Sequence, residues 1–313
     1  MSTEGGNKAI VAALSANLGI GLTKFVAFGL TGASSMLAEA IHSVADSGNQ
    51  LLLLFGGKQA KKEEDTQHPF GYSRARYYYA FLVAVVLFSL GGLFALYEAW
   101  HKFQHPEPIE SWQWVPLVVL VVAIGLESFS LRTAVIESNK TRGRASWPAF
   151  VRKSRSPELP VILLEDLGAL LGLVFALFGI TMTLITHNGL WDAAGTLMIG
   201  ALLCVIAVVL GRETKSMLMG ESATLEDIAG IRAALAESEL GDVIHLRTMH
   251  LGPEDVLVVG KVAVRADLTA QQVADLVDGA EARIRAAVPA ARLIFLETDV
   301  RHHSLATGPE SEH

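Results

Sequence analysis

Residues 36–57 read MLAEAIHSVADSGNQLLLLFGG. A helix needs roughly 20 mostly apolar residues to cross a bilayer, and this run is long enough. Its first half nevertheless carries Glu39, His42 and Asp46. A charged side chain in hydrocarbon costs from about 2.5 kcal/mol upward, so ionisable residues there need a reason. His42 and Asp46 are four apart and share one helix face, and Glu39 lies on that face nearer the outer end. Ser43, Ser47 and Asn49 add polar atoms nearby.

Five further apolar runs flank this one, at about 9–30, 76–99, 114–134, 159–187 and 192–212. Of the 313 residues, 51% are hydrophobic and only 18% charged, and the mean hydropathy is positive. That balance marks a membrane protein rather than a soluble one. The net charge of −7 comes with no basic stripe, which excludes a nucleic-acid binder. A lone cysteine, Cys204, excludes a disulfide framework and a CxxC metal site. The first run follows a short polar segment without a basic flank and reads as a retained span rather than a cleaved signal.

The loops set the expected orientation. Lys58, Lys61, Lys62, Arg74 and Arg76 lie between spans two and three. Arg132, Lys140, Arg142, Arg144, Arg152, Lys153 and Arg155 lie between four and five, and Arg212 and Lys215 follow six. The opposite connections hold only Lys102. Basic residues stay on the cytoplasmic side, which places both termini in the cytoplasm. Trp100, Trp112, Trp114 and Trp191 fall at the outer ends, as an aromatic belt requires. Lys24, within span one, is expected to snorkel outward.

From residue 213 the chain reads as a soluble domain. Helix is expected at 224–238, opened by Thr224, and at 270–287, opened by Thr269. Strands are expected at 243–250 and 256–265, split by Gly252-Pro253-Glu254-Asp255, and at 292–299. The result is a small αββαβ, ferredoxin-like α+β domain over 213–303. It follows a six-helix transmembrane domain over 1–212 and precedes a disordered tail at 304–313.

Imidazole and carboxylate are ligands for divalent transition metals. His42 and Asp46 on one helix, facing a carboxylate on another, supply most of a tetrahedral site. Span five offers adjacent Glu165 and Asp166, and span four offers Glu127. Plainer readings stand beside this one. His42 and Asp46 can pair as helix-packing glue, Glu165 and Asp166 can form an interfacial pair, Glu39 can be interfacial, and Glu127 can pair with Arg132.

Three stretches carry a family resemblance. The run Ala38-Glu39-Ala40-Ile41-His42-Ser43-Val44-Ala45-Asp46-Ser47 matches an [H/D]xxxD metal motif. The loop His68-Pro69-Phe70-Gly71-Tyr72-Ser73-Arg74 is similar to an HPFGHGR-type sequence. Asp166 is followed by Leu167-Gly168-Ala169-Leu170-Leu171-Gly172. With Trp191-Asp192-Ala193 and the soluble C-terminal domain, their order resembles the cation diffusion facilitator family over about residues 8–300. The resemblance implies a homodimeric divalent-metal/proton antiporter that exports zinc, with manganese, iron or cobalt as alternatives. It implies transport ligands at His42, Asp46 and Asp166, with Glu165 as a candidate substitute ligand.

The usual span-five HxxxD is broken by Ile162, and Leu163-Leu164-Glu165-Asp166 resembles the zinc-transporter-like branch. Tyr72 replaces a loop histidine. In the soluble domain His245 and Asp299 match metal positions, but Glu297 replaces a histidine and Lys261 lies close by. The metal is cargo, so no resident cofactor is expected. An intramembrane metalloenzyme would use similar ligands, but no HExxH-type pairing or nucleophile motif is present. A non-transporting metal-sensing or interaction protein on the same fold is the alternative.

Overall fold

The computed structural model describes residues 3–106, 112–238 and 240–300, with side chains described from Asn17 onward except at residue 153. Two compact units divide the chain between Leu218 and Met219. The tail at 304–313 lies outside the described residues.

The first unit is a helical bundle. Helices α1 (Thr3–Thr31) and α2 (Ser34–Gln59) form an antiparallel pair. The next rod, Ala75–Gln104, joins α3 (Ala75–Val86) to α4 (Phe94–Gln104) through a π-helical segment at Leu87–Leu93. Then come α5 (Trp114–Arg142), the short α6 (Trp147–Lys153), α7 (Glu158–Thr186) and α8 (Leu190–Met219). α2 packs against α1, α3 and α7, and α5 packs against α7 and α1. Met36, Val83, Leu87, Leu120, Leu173, Ile199 and Leu203 are buried at the centre. Leu22, Val26, Val121, Phe129, Ile185 and Val205 stay exposed on the outer faces. This outward apolar surface suits lipid rather than water.

Among the described residues, four helices are long and apolar enough to cross a membrane: Ala75–Gln104, Trp114–Arg142, Glu158–Thr186 and Leu190–Met219. Helices of this length and hydropathy mark an integral membrane protein. α1 and α2 are not among the four. α2 buries Ser34, Ser35, Glu39, His42, Ser43, Asp46, Ser47 and Asn49 against its neighbours, so its polarity is turned inward. Hydropathy averaged around the helix cannot register that placement.

Small residues let the last two helices touch backbone to backbone. A Cβ on Gly179 of α7 would stand 2.8 Å from the Trp191 carbonyl oxygen and 3.2 Å from Gly195 Cα of α8. Close approach through small residues is how membrane helices gain packing contact without a hydrophobic drive.

The start of α2 is capped from a distance. Ala33 offers no side-chain cap. Instead Asp192, at the start of α8, accepts from Ser34 N (2.8 Å), Ser34 Oγ (3.0 Å), Ser35 N (3.3 Å) and Ser35 Oγ. A carboxylate at these orphan amides satisfies them and meets the positive end of the helix dipole.

The second unit has the order α9 (Leu225–Ala236), β1 (Val243–Gly252), β2 (Asp255–Val264), α10 (Ala270–Ala287), β3 (Leu293–Val300). β2 is central, antiparallel to β1 and parallel to β3. Thr224 Oγ1 accepts from Asp227 N, and Thr269 forms a full capping box with Gln272, which explains where both helices begin. Ile231, Leu235, Val256, Val258, Val262, Ile284 and Ile294 fill the space between helices and sheet. A complete ferredoxin-like unit is βαββαβ, and the described residues lack its first strand.

Candidate metal centre

On α2, His42 Nε2 lies 3.5 Å from Asp46 Oδ2, and both residues are buried. Neither ring nitrogen of His42 has a hydrogen-bond partner among the described residues, and neither does Asp46 Oδ1. Helix glue would leave these atoms satisfied, because burying an unpaired polar atom costs about 1–3 kcal/mol. Glu165 and Asp166 of α7 and Glu127 of α5, with Lys24 of α1, lie within electrostatic reach of the Asp46 carboxylate on α2.

The two span-five carboxylates face different ways. Adjacent residues differ by about 100° around a helix. Glu165 turns to α2, where its Oε1 accepts from Asn49 Nδ2 at 2.5 Å. Asp166 turns to α5, where its Oδ2 accepts from Ser130 Oγ at 2.9 Å. Ile162 packs in an apolar cluster with Phe150, Leu163 and Ala134 and brings no ligating atom. Among the described residues, no three of His, Cys, Asp and Glu gather closely enough to hold an ion. The structure thus joins His42 to Asp46 and ties Glu165 to their helix, while Asp166 stands against α5.

Lys24 does not snorkel. It is 1% exposed, and its Nζ donates to Glu39 Oε2 (3.0 Å) and Ser43 Oγ (2.8 Å). Glu39 is likewise turned inward and fully buried. The acidic partner of Lys24 lies one helix away, where a span-by-span reading could not find it. The buried Lys24–Glu39 pair sits one turn from His42 and places a resident cation beside the acidic region. Glu127 is buried, whereas Arg132 is exposed.

Residues 10–219 match the family described as the cation efflux transmembrane domain. The chain belongs to the cation diffusion facilitator family. It is 34% identical over 248 residues to the proton-coupled zinc antiporter SLC30A9, mitochondrial, of Homo sapiens, a match covering 78% of this chain and 42% of that relative. It is 25% identical over 240 residues to metal tolerance protein C4 of Arabidopsis thaliana, covering 76% and 52%. It is 23% identical over 266 residues to magnetosome protein MamM of Paramagnetospirillum magneticum, covering 81% and 75%. The chain therefore spans less than half the length of the zinc antiporter it matches.

Two further stretches of this cation diffusion facilitator were candidate metal positions. In the loop before α3, Tyr72 Oη donates to Asp65 Oδ2 at 2.7 Å, and the His68 and Tyr72 rings lie 4.3 Å apart. The phenol hydrogen bond holds the Asp65 carboxyl below the usual aspartate range. In the C-terminal unit, Lys261 Nζ lies 3.1 Å from Glu297 Oε1 and 3.0 Å from Asp299 Oδ2, and His245 is the cross-strand partner of Lys261. Hydrogen bonds to Asp299 and Glu297 push the Lys261 ammonium above its ordinary pKa. A tethered cation thus stands where a metal would need those carboxylates. His250 is buried.

Proposed function

We propose that the protein exports a divalent transition-metal cation, zinc first and manganese, iron or cobalt as alternatives, from the cytoplasm in exchange for protons. The observation that carries this is the buried His42–Asp46 pair with unsatisfied ligand atoms, set among the carboxylates of two other helices. His42, Asp46 and Asp166 form the transport site, with Glu165 as the further acidic donor. The zinc antiporter named among the relatives supports the choice of metal.

The reading includes six spans over residues 1–212, both termini in the cytoplasm, and a cytoplasmic domain over 213–303. It also includes a homodimer, which the family resemblance implies. Metal enters from the cytoplasm and binds deprotonated ligands, so protons and metal compete for the same atoms. His42, whose side chain ordinarily titrates near neutrality, is the natural proton carrier. Rocking of one helix group against another exposes the site to the far side, where protons displace the metal.

The test is metal-driven proton movement in proteoliposomes, for zinc, manganese, iron and cobalt, with wild type beside Asp46→Ala. Flux that falls about tenfold or more in Asp46→Ala, equivalent to about 1.4 kcal/mol, supports the antiporter. No flux for any metal from folded protein favours the non-transporting sensor or interaction protein. The absence of a converged trio of His, Cys, Asp and Glu among the described residues is the observation on that side.

A further inference from the structure

His42, Asp46 and Asn49 stand four and three residues apart on α2, so they form one stripe along a single face. All three are buried. Each ends in atoms with no hydrogen-bond partner among the described residues: both ring nitrogens of His42, Oδ1 of Asp46 and Oδ1 of Asn49. The oxygens of that stripe are acceptors, and a neutral imidazole adds an acceptor nitrogen. A row of buried acceptors without donors is completed by a cation.

The orientation of Asn49 is set from the other side. Its Nδ2 donates to Glu165 Oε1 at 2.5 Å. The amide nitrogen is therefore committed to α7, and the carbonyl oxygen is the end left over. One turn earlier on α7, Ile162 sits in apolar packing and contributes no donor atom.

We propose that Asn49 is itself a ligand of the transported cation, binding it through the side-chain carbonyl oxygen while its amide holds Glu165 against α2. This rests on the reading of His42 and Asp46 as the transport site. It adds a neutral amide oxygen to the one imidazole of His42 and the carboxylates of Asp46, Asp166 and Glu165. Such a set is harder than one with a second imidazole and leaves manganese and cobalt competitive with zinc.

The experiment uses the purified full-length protein in detergent, titrated with Zn2+ and Co2+ by calorimetry, with the visible d–d bands of Co2+ reporting the donor set. Asn49→Leu keeps the approximate shape and removes the ligand. Its affinity for both metals is expected to fall about 10–100-fold, with changed Co2+ bands. Asn49→Asp combined with Glu165→Gln keeps the oxygen at 49 and restores the inter-helix hydrogen bond with the amide on the other side, so it is expected to retain binding, which provides a readout should the leucine variant not fold; loss of binding in that folded double variant overturns the inference.

A Glu165→Gln background separates ligand from positioning residue. A further loss on adding Asn49→Leu marks a ligand. No further loss means that Asn49 acts only through Glu165, and the inference is overturned. Unchanged binding in Asn49→Leu, with binding abolished in Asp46→Ala, overturns the role of Asn49 alone. Unchanged binding in Asp46→Ala overturns the transport-site reading and this inference with it.

Discussion

Lys24 and Glu39 show what a single buried charge demands. Each is desolvated, and each is tolerable only because the other is 3.0 Å away. Removing one partner of a buried pair leaves an uncompensated charge and typically costs about 3–5 kcal/mol. Lys24→Met should therefore lower the thermal unfolding temperature in detergent sharply, and Lys24→Met with Glu39→Met should recover most of the loss. A single variant as stable as wild type would show that the pair contributes nothing. Asp65 makes a milder case in the open loop. Its folded pKa is depressed by the Tyr72 hydrogen bond. The contribution is complete above the ordinary aspartate range and is lost as pH falls through the depressed folded value. Tyr72→Phe should move the Asp65 titration, followed by carboxyl NMR, upward toward that ordinary range.

At the level of elements, α2 depends on α8 for its first turn. Asp192 takes four donors from Ser34 and Ser35, and its own amide donates to Thr183 Oγ1 at 3.0 Å. A lost helix cap costs about 0.5–2 kcal/mol, and here two buried hydroxyls also lose their acceptor. Asp192→Ala should therefore destabilise the bundle by about 2 kcal/mol or more, read as a lowered unfolding temperature with Lys215→Ala, exposed on α8, as the control. A second consequence concerns α7. A Cβ on Gly172 would stand 2.5 Å from Glu39 Oε1, so this glycine lets the charged pair approach the helix. The order of secondary elements was readable from periodicity and caps. The expected helices at 224–238 and 270–287 appear as Leu225–Ala236 and Ala270–Ala287, because Thr224 and Thr269 cap them locally.

For the whole molecule, the basic loops predict a sidedness that thiol labelling can read. In a Cys204→Ala background, an impermeant reagent added from the cytoplasmic side should label Arg144→Cys and spare Asn188→Cys. Reagent added from the opposite side should do the reverse. Equal labelling of both from one side would remove the six-span arrangement with both termini inside. The apolar outer faces of the bundle, with Val121 and Phe129 of α5 exposed, are the counterpart of the inward polar stripe on α2. One surface is shaped for lipid, and the buried one carries the ionisable groups.

By itself, the sequence determined the long apolar helices, the small α+β unit and the His42–Asp46 pairing. Those features rest on periodicity, local caps and a four-residue spacing, all of which act within a turn or two of chain. The tertiary structure decided the rest, because the deciding contacts join residues far apart in the chain. It set Glu165 against Asn49, across 116 residues, and Asp166 against Ser130. It delivered Asp192 to the start of α2 across 158 residues. It turned Lys24 inward to Glu39, since a cation deep in an apolar bundle takes whatever buried anion the neighbouring helix presents.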